Sequence, residues 1–130
     1  MTGPSLSDSQ LDFVAERHLA TITLLRTDGT PHVTPVGFTF DAEVGLVRVI
    51  TWNGSQKSRL LETSGGGRAA VCQVDGARWL TLEGSAVVSG DPHRTAEAVR
   101  RYAERYQPPK DRGADRRVIE ITVDRVLGRR

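Results

Sequence analysis

Short apolar runs that stop at glycine-bearing turns constrain this chain more than any other feature. Residues 19–26 are rich in Thr, Ile and Leu and halt at Asp28-Gly29, a hairpin signal. Residues 32–40 and 46–52 form two further runs, separated by the turn at 41–45 and closed by Asn53-Gly54. Residues 69–74 and 78–89 flank a second hairpin signal, Asp75-Gly76, and residues 118–126 make the last run. Runs this short suit strands, and turns this frequent suit antiparallel pairing. In residues 78–89, Leu80, Leu82, Ala86 and Val88 alternate with Trp79, Thr81, Glu83 and Val87. Gly84 falls in the apolar register, which predicts a bulge or barrel corner there. Pro35 and Gly37 weaken residues 32–40 as a plain ladder, and Gly37 predicts close approach of a ligand to that backbone. The pattern predicts a mainly β fold with flanking α, built as a small barrel of about six strands.

Three helices interrupt the strands. Ser7-Asp8-Ser9-Gln10 is a capping box with Leu6 and Leu11 at its staple positions, and it predicts a helix to about His18. A short helix follows at 55–63 and ends at the Gly65-Gly66-Gly67 run. Asp91-Pro92 caps a third, with Ala96, Val99, Ala103 and Tyr106 on one stripe, ending before Pro108-Pro109. Residues 110–115 are polar and predicted to be mobile.

The chain has 130 residues, enough for one domain, and its 38% apolar content is modest. A partner surface or bound cofactor is expected to complete the core. A lone cysteine, Cys72, excludes an internal disulfide and predicts a reducing, cytoplasmic setting; its apolar strand predicts a core position. The start, Met1-Thr2-Gly3-Pro4-Ser5, has neither a basic nor an apolar stretch and does not read as a signal peptide. No run approaches the length of a membrane span. Net charge is +2, and Lys57 and Lys110 are the only lysines. A basic barrel could bind single-stranded nucleic acid through stacked aromatics. Here the charge is small, and two of the seven aromatics, Tyr102 and Tyr106, fall on a helix, so a small-molecule substrate is expected instead.

Chemistry concentrates at residues 50–59. A strand ends in a glycine turn, and a helix starts with Ser55, Gln56, Lys57, Ser58 and Arg59. Helix amides, hydroxyls and a lysine make a phosphate cradle; the same residues would also make a solvated basic turn. Arg78 and Trp79 stand beside a tight turn, where Trp can cover a planar ring and Arg can pair with phosphate. They would equally serve as a barrel-edge hairpin. His18, His32 and His93 lack metal-ligand spacing, and no Ser/His/Asp set is arguable, so neither a metal nor a catalytic side chain is assigned. Missing acid–base machinery suits hydride transfer, in which the cofactor carries the chemistry.

The blocks Glu16-Arg17-His18-Leu19-Ala20 with Pro31-His32-Val33 and Val36-Gly37-Phe38-Thr39-Phe40-Asp41, Ile50-Thr51 with Gly54-Ser55-Gln56-Lys57, and Gln73-Val74-Asp75-Gly76-Ala77-Arg78-Trp79-Leu80 with Leu82-Glu83-Gly84 together resemble the split β-barrel flavin/deazaflavin oxidoreductases. That superfamily includes the pyridoxamine 5′-phosphate oxidases, and the likeness is greatest to its F420-dependent biliverdin reductase branch. The resemblance implies a six-stranded split barrel, a homodimer with cofactor sites at its interface, and coenzyme F420, with FMN as the alternative. It implies that Ser55, Gln56 and Lys57 hold the cofactor phosphate and that Val36, Gly37, Phe38, Ile50 and Thr51 line its ring system. Ala77, Arg78 and Trp79 would complete the site, either from the same subunit or from the other. The implied reaction is hydride transfer from the reduced cofactor to a conjugated substrate such as biliverdin; a cofactor carrier without catalysis is the other reading. The chain ends at Arg129-Arg130 without the further basic residues that grip the vitamin B6 phosphate, which argues against that substrate.

Overall fold

A computed structural model describes residues 4–129; Met1, Thr2, Gly3 and Arg130, on which part of the terminal reading rests, lie outside them. Seven strands form one antiparallel sheet in the order β2-β1-β5-β6-β7-β4-β3. They are β1 (Ala20–Leu25), β2 (Pro31–Val36), β3 (Thr39–Asp41), β4 (Leu46–Trp52), β5 (Gly67–Asp75), β6 (Arg78–Ser89) and β7 (Arg116–Arg129). The helices are α1 (Asp8–Ala15), α2 (Gln56–Ser64) and α3 (Pro92–Arg105).

β2 and β3 lie at opposite edges of the sheet, yet only Gly37 and Phe38 separate them in sequence. Two residues cannot cross a flat seven-stranded sheet, so the sheet curls until its edges face one another. The result is a barrel left split between β2 and β3. The sequence pattern merges these two strands into one, which is why it yields six. The break falls where the chain leaves one edge for the other. Pro31 and Pro35 are tolerated because β2 is an edge strand and needs one fewer ladder donor.

The curled sheet encloses Ile22, Leu24, Phe38, Val47, Val49, Val71, Leu82, Ile121 and Val123, all 1% exposed or less. The predicted bulge is present: the β6–β7 register slips between Glu83 and Gly84. β7 extends well beyond 118–126 at both ends, and Val118 to Ile121 are all buried because α3 covers its second face.

Three expectations are corrected. The first helix stops at Ala15, where Glu16 turns extended. The packing face of α3 is Thr95 and Ala98, one step from the expected stripe; Ala96, Val99 and Ala103 line an outer groove with residues 108–113 instead. Cys72 is half-buried on the outer side of the sheet, because Val71 and Gln73 take the inward positions of β5.

Candidate functional site

The β4–α2 turn builds the first part of the site. Gly54 adopts φ +85°, which lets the chain reverse after Trp52. Ser55 caps α2: its Oγ accepts from the Ser58 N–H at 3.1 Å and shares a 2.7 Å hydrogen bond with the Thr51 hydroxyl. Both hydroxyls are buried. They lock the turn and fix where α2 begins. Gln56 and Arg59 are exposed, and Ile50 is half-buried.

Lys57, the second residue of α2, is half-buried and forms no ion pair with any described residue. Burial pushes its ammonium pKa down from 10.5. Its charge acts on His32 of β2. Burial, with the charges of Arg26 and Lys57, holds the imidazole below its usual 6.5. His32, Thr34 and Val36 alternate on the inward side of β2. Nδ1 of His32 and Oγ1 of Thr34 are buried without any hydrogen-bond partner. A half-desolvated cation without a counter-charge, beside two orphaned polar atoms, fits an anionic group such as a phosphate. In the sequence His32 stands in the block Pro31-His32-Val33 and lacks metal-ligand spacing, but no motif there marks it or Thr34 as a cofactor contact. Their inward register with Val36 was the available signal.

Gly37 does allow a close approach, but from the chain itself. A Cβ there would lie 2.8 Å from the Tyr102 ring and 2.9 Å from that of Tyr106. Tyr106 accepts from the Phe38 N–H at 3.2 Å and donates to the His18 carbonyl at 2.7 Å. Arg105 donates to the carbonyls of Glu16 and Phe38 and to Gln73, and it stacks over the Phe38 ring. Phe38 itself is a core residue. Val36 is buried in the same core as Phe38, and Ile50 is half-buried on the side of β4 opposite Val49 and Thr51, while Gly37 and Phe38 hold α3 to the barrel.

Ala77, Arg78 and Trp79 sit on the β5–β6 hairpin, where Gly76 has φ +62°. Arg78 donates twice to Glu16, at 2.8 and 2.9 Å, and once to Asp75, and it lies over the Phe13 ring. The Arg78 hydrogen bond holds the Glu16 carboxyl at about 2, against the opposing effect of desolvation and with help from His18. Glu16, His18 and Asp75 cluster closely enough for a metal, but the Arg78 guanidinium already rests on both carboxylates. Two of the blocks that stood out in the sequence thus bind each other.

The structure brings Thr51, Ser55, Gln56 and Lys57 together, sets Ile50 on the other side of β4, and leaves Ala77, Arg78 and Trp79 apart. His32 shares a rung with Leu24 and Ala69. The hairpin begins six residues farther along β5, roughly 20 Å at the usual rise per strand residue. Within one protomer these are two separate places.

Residues 6–130 match the family described as pyridoxamine 5′-phosphate oxidase. The chain is 50% identical over 127 residues to the F420-dependent biliverdin reductase of Mycobacterium tuberculosis (strain CDC 1551 / Oshkosh), covering 98% of this chain and 90% of that one. Among solved structures, the M. tuberculosis protein Rv2991 matches with a TM-score of 0.77 at 22% identity, covering 98% of this chain and 87% of that one. A structure described as an F420 reductase matches with a TM-score of 0.74 at 22% identity, over 94% and 98%. At that identity the two structures speak for the fold.

Proposed function

This chain belongs to the pyridoxamine 5′-phosphate oxidase family, and on that premise we propose that it is an F420-dependent reductase of a conjugated small molecule, with biliverdin the first substrate to test. Half of its residues are shared with a biliverdin reductase along nearly the whole of both chains, and that observation carries the reading. The site's own chemistry agrees with it: Lys57 is a half-buried cation with no carboxylate paired to it among the described residues.

When bound, reduced F420 supplies a hydride from C5 of its deazaflavin ring. Lys57 holds the cofactor phosphate as a point charge. The Thr51–Ser55 hydrogen bond keeps the turn in place so that Lys57 and the first amides of α2 meet the same anion. The end of β2 at Val36 would offer apolar surface to the ring system. No side chain is assigned acid–base work, which suits chemistry carried by a cofactor.

The working unit in this proposal is a homodimer. Leu19, Val33, Val74 and Trp79 are exposed on the outer side of the sheet, 63%, 53%, 58% and 38% respectively. That face suits a second copy, whose Ala77-Arg78-Trp79 hairpin would then complete the site. Among the described residues no helix is long and apolar enough to cross a membrane, and the single Cys72 suits a reducing cytoplasm.

Fluorescence titration with F420 and FMN, followed by absorbance assay of biliverdin with reduced F420, tests the reading. Tighter binding of F420 and loss of the biliverdin band are expected. Tighter binding of FMN would overturn the cofactor assignment.

A further inference from the structure

The two orphaned atoms on β2 carry an inference that rests on the phosphate-site reading above and deepens it. We propose that His32 and Thr34 complete the anion site headed by Lys57, and that His32 takes up a proton from solvent as the anion docks.

Three observations support this. The His32 Nδ1 and Thr34 Oγ1 atoms are both buried and unpartnered, on the same side of one strand. A buried polar group left without a partner costs about 1–3 kcal/mol, so two neighbours in that state mark a place built for a ligand. Second, β2 is a sheet edge that stands opposite the β3 edge across the split. Third, the charges acting on His32 are both positive: Lys57 from α2, and Arg26 from the β1–β2 turn. Arg26 is itself tied to Thr30 and to the Pro31 carbonyl, and Asp28 in that turn is bonded to Thr30. An arriving anion offsets both cations and adds an acceptor for the imidazolium.

The sign follows from linkage. Burial and the charges of Arg26 and Lys57 disfavour the charged form of free His32. The anion favours the charged form, so the pKa rises in the complex. Binding then tightens as pH falls through the bound value and levels off below the free one.

NMR titration of the three histidines, free and saturated with F420, reads this directly. His32 is expected to move up by about one unit or more, a tenfold gain in proton affinity. Thr34→Val should weaken F420 roughly tenfold or more. In His32→Gln, calorimetry in buffers of different ionisation heat should show up to one proton fewer taken up than in the wild type. An unmoved His32 signal together with unchanged binding by Thr34→Val overturns the inference and leaves the cofactor assignment standing. If the wild type takes FMN and not F420, the cofactor assignment falls, and the same measurements with FMN decide this inference. If neither cofactor binds, both fall.

Discussion

Lys57 is the side chain on which the site turns, and its environment sets its task. It pairs with no carboxylate among the described residues and is held on a helix whose start is fixed by two buried hydroxyls. A hydrogen bond involving a charged group contributes about 1.5–3 kcal/mol, so Lys57→Ala should weaken F420 roughly 10- to 150-fold. Turnover at saturating cofactor should change little, because an interaction equal in ground and transition states affects binding and not the chemical step. Stopped-flow reduction of biliverdin by saturated enzyme checks this, and a large loss of rate with normal binding would make Lys57 catalytic. Arg59 is exposed, so Arg59→Ala should cost less. Lys57 was legible in the sequence because helix start, hydroxyls and charge lie within five residues. His32 and Thr34 were not, because nothing local says which side of an edge strand meets a helix from elsewhere. Arg78 was legible as a prominent residue but not as a clamp: Glu16 lies 62 positions away in sequence. That clamp has a pH signature. Glu16 is held at about 2 in the fold, below its ordinary 4.5. Its contribution to stability is therefore complete above the ordinary value and lost as pH falls toward about 2. Glu16→Gln should lower Tm at pH 7, and thermal melts from pH 5 to 2 should show its curve and the wild-type curve converging.

Among the elements, β6 carries the most of the barrel's geometry and was read most fully. Arg78–Ser89 has the expected bounds, inward residues and bulge, because alternation and an out-of-place glycine are local signals. A Cβ on Gly84 would lie 1.9 Å from the Thr122 carbonyl oxygen of β7. That neighbour is backbone in the sheet and cannot rotate away. Gly84→Ala should therefore destabilise the protein by about 3 kcal/mol, through forced separation of β6 and β7. Chemical denaturation checks it, and a change within about 0.5 kcal/mol would mean that the bulge relaxes freely. β2 and β3 were read less well. Their separation depends on the sheet curling until its edges meet, which no window of residues records. α3 was displaced by one position on its wheel for a related reason. Its small residues suit either face, and the choice was made by Tyr102 and Tyr106 packing on Gly37.

At the scale of the whole molecule, the two separated parts of the site and the exposed apolar sheet face become one question. The Lys57 end and the Ala77-Arg78-Trp79 hairpin stand roughly 20 Å apart along β5, so a single protomer cannot apply both to one cofactor phosphate. The hairpin flank bears Leu19, Val74 and Trp79, and Val33 lies on the same outer side across β1. A second copy seated there would cover these side chains and set its hairpin against the first copy's site. Stable interfaces of this kind bury on the order of 2,000 Å². Val74→Glu places a carboxylate in the middle of that face while leaving Lys57, Thr51 and Ser55 untouched. It should shift the protein from dimer to monomer in sedimentation at micromolar concentration. Its F420 affinity should fall at least tenfold although its thermal melt stays cooperative. A monomeric variant that binds F420 as tightly as the wild type would show that one protomer holds the complete site, and the hairpin would then serve the fold alone.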